Sequence, residues 1–388
     1  MRKATSALVG LLLAGVAATP AHAQTIREQQ WHLDVMKADD IWKTSTGKGV
    51  VVAVIDSGVG AIPELEGQVL PGKDLAVGYQ GDERTDYDKH GTTMAALIAG
   101  SGRHPSGDGA FGLAPGAKIL PIRVPHEEKK ATPSWAEAIR FAADSDAKIL
   151  NISMGFPGTP EDDGQRREAV KYAISKGKLI FAAVGNSGDT LNEVNYPAAT
   201  PGVVGVAAVD ANGDATKESQ HGPQVDLSAP GVDMVTACGG QTGLCKTHGT
   251  SDATALASAS AALLWSAHPD WTNNQILRVL LNTAGSPRDG VVRNDYVGYG
   301  VVRPRIALPT PGDPGPADVY PLRDLAAAEA GAPPSEAATP RPPAPGPQAQ
   351  TQKDDGNSGT LPWIALGTGV CLLIGGAVTA VVVRRTKH

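Results

Sequence analysis

Val50 to Gly58 reads VVVAVIDSG, an unbroken apolar run that ends in an aspartate and a turn. A strand that is apolar at every position must be covered on both faces, which is the situation of a strand inside a parallel sheet. Further runs share the texture: AKILPIRV from Ala117, AKILNISM from Ala147, KLIFAAVG from Lys178 and GVVGVAAV from Gly202. Between them, Trp135 to Ala147 and Gln165 to Lys176 carry apolar residues at helical spacing. Strand and helix therefore alternate as in βαβ units, and the predicted fold class is α/β: a doubly wound, mostly parallel sheet with helices on both faces. Asp56, followed by the turn Ser57-Gly58, falls at the C-terminal edge of its strand, where sheets of this kind hold their sites.

Outward from this core the texture changes. At the start, Met1-Arg2-Lys3 precedes an apolar stretch from Ala7 to Ala18 and then Ala21-His22-Ala23. A basic start, a short apolar stretch and small residues before Gln24 together predict a secretory signal peptide over 1–23. At the far end, Leu361 to Val383 reads LPWIALGTGVCLLIGGAVTAVVV without a charge, long enough for a membrane-crossing helix. Arg384, Arg385 and Lys387 follow, and basic residues stay cytoplasmic, so the tail 384–388 is expected inside and the rest outside. Residues 309–360 are rich in Pro and Ala and poor in large apolar residues, so they are expected to form a disordered, semi-extended linker. What remains, 24–308, fits one large domain with an N-terminal extension.

The net charge of -6 comes with no dense Lys/Arg block in the central region, which excludes the electrostatic footprint of a nucleic-acid binder. Cys238 and Cys245 bracket the loop CGGQTGLC, while Cys371 lies in the expected membrane span. Only the first two share the oxidising side, so they are the expected disulfide, contributing about 2–3 kcal/mol in the chain-entropy model. The spacing of the pair suits neither a CxxC redox site nor zinc.

Chemistry-bearing residues occur in the order Asp, His, Ser. His90 opens HGTTMAALIAG, a predicted helix start, and an imidazole titrates near working pH, as a general base requires. Ser251 lies in GTSDATALASASAALLW, where a turn leads into a helix of small residues that fits deep inside a domain. A serine there feels the positive helix end, and its backbone N–H faces outward. Asn186, in FAAVGNSG, follows an apolar strand and presents an amide at its end. Taken singly, each has a plainer role: Asp56 as a turn residue, His90 as a helix cap, Ser251 as an N-cap and Asn186 in a turn. His248 stands three residues before Ser251, a poor geometry for a base, and reads as a loop or cleft residue. Ser258 and Ser260 read as small packing residues. The acidic run Asp82 to Asp88 lacks the spacing of an EF-hand loop and reads as a solvated loop.

Together VAVIDSG, HGTTMA and GTSDATA, with AAVGN between the last two, resemble the fingerprint of subtilases, the subtilisin-like serine proteases. The resemblance extends through GLAPGAKILPIRV, ILNISMG, YPAATPGVVGVAAVD and VDLSAPG, covering about Trp31 to Leu308. With the expected leader, linker and anchor, the layout is similar to mycosins, membrane-anchored subtilases associated with type VII secretion. The resemblance implies a subtilisin-like fold and a catalytic triad of Asp56, His90 and Ser251, with Asn186 at the oxyanion. It also implies that Ser153, Met154 and Gly155 bind an extended peptide by β-addition. It implies no cofactor and no metal in the chemistry. The implied protein is an extracellular, single-pass, cell-membrane endopeptidase acting on peptide or protein substrates, with the type VII secretion machinery as a partner.

Two features depart from the pattern. Asp252 follows the nucleophile where subtilisins have an uncharged residue, and a carboxylate facing a developing oxyanion would repel it. About thirty residues separate the leader from Asp56, too few for a folded inhibitory propeptide, so Trp31 to Trp42 is expected to pack on the domain. Asp252 motivates the alternative of a catalytically weak subtilase domain that serves as a structural component of a secretion complex.

Overall fold

The structure, a computed structural model, describes residues 24–126, 128–239 and 243–329. The expected signal peptide (1–23), anchor (361–383), basic tail and most of the linker lie outside the described residues. Among the described residues no helix is long and apolar enough to cross a membrane.

Seven strands form one sheet: β1 (Val51–Asp56), β2 (Lys73–Asp74), β3 (Lys118–Arg123), β4 (Ile149–Ile152), β5 (Leu179–Ala183), β6 (Val204–Val209) and β7 (Leu227–Pro230). Their order is β2-β3-β1-β4-β5-β6-β7, and every pairing is parallel. The apolar runs are buried on both faces because alternate residues serve opposite layers. Val52 and Val54 of β1 join one core cluster while Ala53 and Ile55 join the other. Each fully buried aliphatic side chain of this kind contributes on the order of 1.5–3 kcal/mol.

One face is covered by α1 (His90–Ala99), α4 (Thr250–Ala267) and α5 (Asn273–Asn282), the other by α2 (Glu128–Ala143) and α3 (Gly164–Ser175). Helix α3 falls within a residue of its predicted bounds. Helix α2 starts earlier than Trp135 and ends before the predicted Ala147, because Ser145 bonds back to the Ala142 carbonyl and closes the helix. Every side chain of α4 from Thr250 to Trp265 is buried, which the run of Ala and Ser permits by letting the helix axis approach the sheet. A hairpin, β8 (Met234–Ala237) with β9 (Leu244–Thr247), precedes α4 and is closed by the Cys238–Cys245 disulfide, with Cα atoms 5.8 Å apart.

The N-terminal extension packs on the domain as expected. Trp31 Nε1 donates to the Val232 carbonyl at 3.0 Å, Trp42 Nε1 to that of Leu113 at 2.8 Å, and buried Gln30 bridges Phe111 and Val235. Residues 309–329, assigned above to the linker, depart from that expectation. Arg278 of α5 donates to the carbonyls of Pro314 and Pro316, Gln275 donates to that of Gly315, and Leu322 is buried. Proline removes a donor but leaves a carbonyl, and α5 supplies the donors. Tyr320 then bonds the Gly202 carbonyl and Asp324 accepts from the Gly202 N–H, both at 2.8 Å.

Candidate active site

Asp56 ends β1 with its carboxylate fully buried. Oδ1 accepts from the Ser57 N–H at 2.8 Å and lies 2.8 Å from His90 Nδ1. His90 reaches it because α1 starts hard against the β1 turn. A Cβ at Gly91 would lie 2.2 Å from the Gly58 carbonyl oxygen and 3.0 Å from Asp56 Cβ, so only glycine allows this approach. The acidic loop wires the same helix start. Asp86 Oδ2 accepts from the Thr92 N–H at 2.7 Å, Asp86 Oδ1 from the Lys89 N–H at 2.8 Å, and Asp88 Oδ1 from the His90 N–H at 2.8 Å. These carboxylates satisfy first-turn donors and favour the positive helix end. Among the described residues, no group of three or more His, Cys, Asp or Glu is disposed to hold a metal ion.

Ser251 sits in the first turn of α4, 9% exposed. Its hydroxyl donates to the Ser153 carbonyl at 2.8 Å, and the Ser153 hydroxyl donates to the Ser251 carbonyl at 3.0 Å. The structure therefore joins Asp56 to His90 and Ser251 to Ser153, and the Ser251 hydroxyl is not bonded to the imidazole. The two halves are nonetheless neighbours. Val54 of β1 is in register with Asn151 of β4, and both strands end within two residues, so Asp56 and Ser153 stand at the ends of adjacent strands. Helices α1 and α4, which carry His90 and Ser251 in their first turns, pack on each other.

Asn186 follows β5 with its side chain exposed. Its Oδ1 accepts from the Thr250 N–H at 2.9 Å and from the Thr250 hydroxyl at 3.0 Å. With Oδ1 turned onto α4, the Nδ2 end faces the other way. Gly249 (φ +123°) makes room for it, since a Cβ there would meet Asn186 Nδ2 at 2.9 Å. Ser153 and Met154 are buried just beyond β4, with Gly155 half-buried.

The charges around the site are unequal. Burial pulls the His90 pKa down, but Asp56 outweighs it and the imidazole is raised to about 9, with Asp88 and Asp252 adding to the effect. Asp252 is buried, and its carboxylate accepts from the Thr247 hydroxyl of β9 at 2.7 Å. Burial raises it to about 6, against the bond from Thr247 and the nearby His90. His248 is exposed and pairs with Glu218 at 2.8 Å, so it is not placed as a base for Ser251. Ser258 does more than pack: its hydroxyl donates to Asn151 Oδ1 at 3.0 Å. Asn151 went unremarked in the sequence, although a lone amide inside the apolar run AKILNISM was a legible signal.

The Asp252 values give a stability prediction. The native fold holds this proton more tightly (about 6) than an ordinary carboxyl (3.8), so the ionised form destabilises the fold above pH 6 and the penalty vanishes below pH 3.8. Asp252→Asn keeps an acceptor for Thr247. It should raise the thermal midpoint by several degrees at pH 7.5, on the order of 2 kcal/mol, and match the parent near pH 3.5. Melting curves at the two pH values check this.

A family model described as the subtilase family matches residues 47–300. Mycosin-1 of Mycobacterium tuberculosis is 33% identical over 348 residues, covering 76% of this chain and 76% of the relative. Subtilisin BL of Lederbergia lenta is 34% identical over 242 residues, covering 62% of this chain and 85% of the relative. Among solved structures, MycP1 with its N-terminal propeptide removed superposes with a TM-score of 0.65 at 31% identity, covering 74% of this chain and 99% of that one. A structure of the periplasmic assembly from the ESX-5 inner membrane complex contains a chain matching with a TM-score of 0.64 at 28% identity, over 86% of this chain and 92% of that one.

Proposed function

Since the chain belongs to the subtilase family and is a subtilisin-like serine protease, we propose that it hydrolyses peptide bonds with Asp56, His90 and Ser251 as its triad. The observation that carries the reading is the buried Asp56 carboxylate held 2.8 Å from His90 Nδ1, one strand away from the Ser153–Ser251 pair. With Nδ1 toward Asp56, Nε2 is the nitrogen left to act as base. A peptide N–H taking the Ser153 carbonyl displaces the Ser251 hydroxyl, which turns to His90 and gives up its proton as Oγ attacks the scissile carbonyl. Asn186 Nδ2 and the Ser251 N–H, an orphan donor of the first turn, receive the oxyanion. The imidazolium, stabilised by Asp56, returns the proton to the leaving amine, and water then cleaves the acyl-enzyme by the same route.

Among the described residues, the backbones of Met154 and Gly155 make no hydrogen bond to the rest of the domain, which supports their pairing with an extended peptide. The Thr247 hydroxyl engages the Asp252 carboxylate at 2.7 Å, and burial raises its pKa to about 6, both of which lessen the repulsion it would exert on an oxyanion. The likeness to Mycosin-1 and to the ESX-5 assembly supports a place beside type VII secretion machinery outside the membrane. Leu361 to Val383 would be the single anchor.

A fluorophosphonate probe tests the reading. The full-length chain is expected to take one covalent label, mapped by mass spectrometry to Ser251. Folded protein that stays unlabelled while subtilisin reacts in the same tube would favour the structural-component alternative.

A further inference from the structure

Beneath Ser251 a line of buried side chains ties α4 to β4. Ser258 Oγ donates to Asn151 Oδ1 at 3.0 Å, Asn151 Nδ2 donates to Ser153 Oγ at 3.0 Å, and Ser153 Oγ donates to the Ser251 carbonyl at 3.0 Å. Ser251 Oγ closes the figure on the Ser153 carbonyl at 2.8 Å. Asn151 and Ser258 are fully buried, and Ser153 nearly so. Ser258 lies about two turns along α4 from Ser251, on the face that looks at the sheet.

The line has a direction. An amide offers an acceptor at one end and donors at the other, and a hydroxyl has one proton to give. The Ser251 carbonyl can only accept, so it takes the Ser153 proton; Ser153 Oγ is left to accept from Nδ2, and Oδ1 then faces the Ser258 hydroxyl. Reversing the amide would turn Oδ1 toward Ser153 and draw that proton onto it, releasing the Ser251 carbonyl and one of the two bonds that hold Ser153 against Ser251. Ser258 holds the amide in this direction by giving the buried Oδ1 the donor it would otherwise lack.

We propose that Ser258 and Asn151 are positioning residues that keep the peptide-pairing segment Ser153 to Gly155 in register with the Ser251 hydroxyl. The inference rests on the peptidase reading above and deepens it. Substrate is held along that segment while the attacking atom comes from α4, so an error in register penalises peptides that pair there. A small phosphonylating probe, which does not pair, escapes the penalty.

The test compares two readouts on the full-length chain: kcat/KM for a fluorogenic peptide with four residues before the cleaved bond, chosen because the parent cleaves it, and the rate of fluorophosphonate labelling. Ser258→Ala is expected to lose about tenfold in peptide kcat/KM, the scale of one buried hydrogen bond, with labelling changed less than about twofold. Asn151→Ala should lose at least as much on the peptide. The double variant should be no worse than Asn151→Ala alone, because Ser258 acts only through Asn151. Ser260→Ala is the control, since that hydroxyl is equally buried but donates within its own helix to the Leu256 carbonyl at 2.7 Å. It should move neither readout.

Equal losses in both readouts, additive losses in the double variant, or a Ser258→Ala protein that cleaves the peptide like the parent would each overturn the proposal. If Ser258→Ala does not fold, as its melting curve will show, Asn151→Ala on β4 carries the comparison. A parent chain that neither labels nor cleaves any peptide refutes the peptidase reading instead.

Discussion

His90→Ala is expected to lower kcat by about 10⁶-fold, the size of effect seen when the base or nucleophile of subtilisin is removed. Among the described residues no neighbouring group is placed to replace the imidazole. His248 is held by Glu218 in solvent, and His126, half-exposed, lies against Asp88 at 3.5 Å. Ser251 would stay on the Ser153 carbonyl with its proton. The substitution also removes a partner from a fully buried carboxylate whose Oδ2 has no hydrogen-bond partner among the described residues, so stability should fall by about 1–3 kcal/mol. Single-turnover assays and a melting curve separate the two effects. A residual rate within tenfold of the parent would remove His90 from the chemistry.

Asp56→Asn is expected to lower kcat by about 10⁴-fold, since an amide cannot hold the imidazole in the required tautomer or stabilise its charge. The pH dependence supplies a second signature. The base works when neutral, and the parent imidazole sits at about 9 because Asp56 outweighs its burial, so parent kcat/KM should climb through the alkaline range. Without Asp56, burial is left as the larger influence against the weaker pull of Asp88 and Asp252, and the limb moves to lower pH. Stability follows the same proton. A raised folded pKa contributes stability that is fully present below 6.5 and lost as pH rises through about 9. The parent should therefore lose melting temperature over that window more steeply than the variant. A limb that stays at the parent's position in Asp56→Asn would show that another group sets it.

Much of this site could be read from the sequence because its parts are local. Asp56 ends an apolar strand, His90 opens a helix and Ser251 opens another, and each is marked by its own turn. The parallel sheet was equally legible, since a run such as VVVAVID has nowhere to go but between two covered faces. What escaped was long-range or directional. The bond between Asn151 and Ser258 spans 107 residues and turns a packing serine into a polar contact. The setting of Asp252 is directional: the hydroxyl of Thr247, five residues before it, donates to the carboxylate at 2.7 Å, which spacing alone does not tell. The segment 309–329 misled because proline content speaks for the missing donors and is silent about carbonyls, four of which are taken up by Arg278 and Gln275.

That last segment docks beside Gly202, just before β6, and so at the N-terminal ends of the parallel strands. Asp56 and Ser153 stand at the opposite ends. Residues 309–329 thus keep to the edge of the sheet opposite the strand ends that carry Asp56 and Ser153, and their docking leaves the proposed triad's edge to other partners.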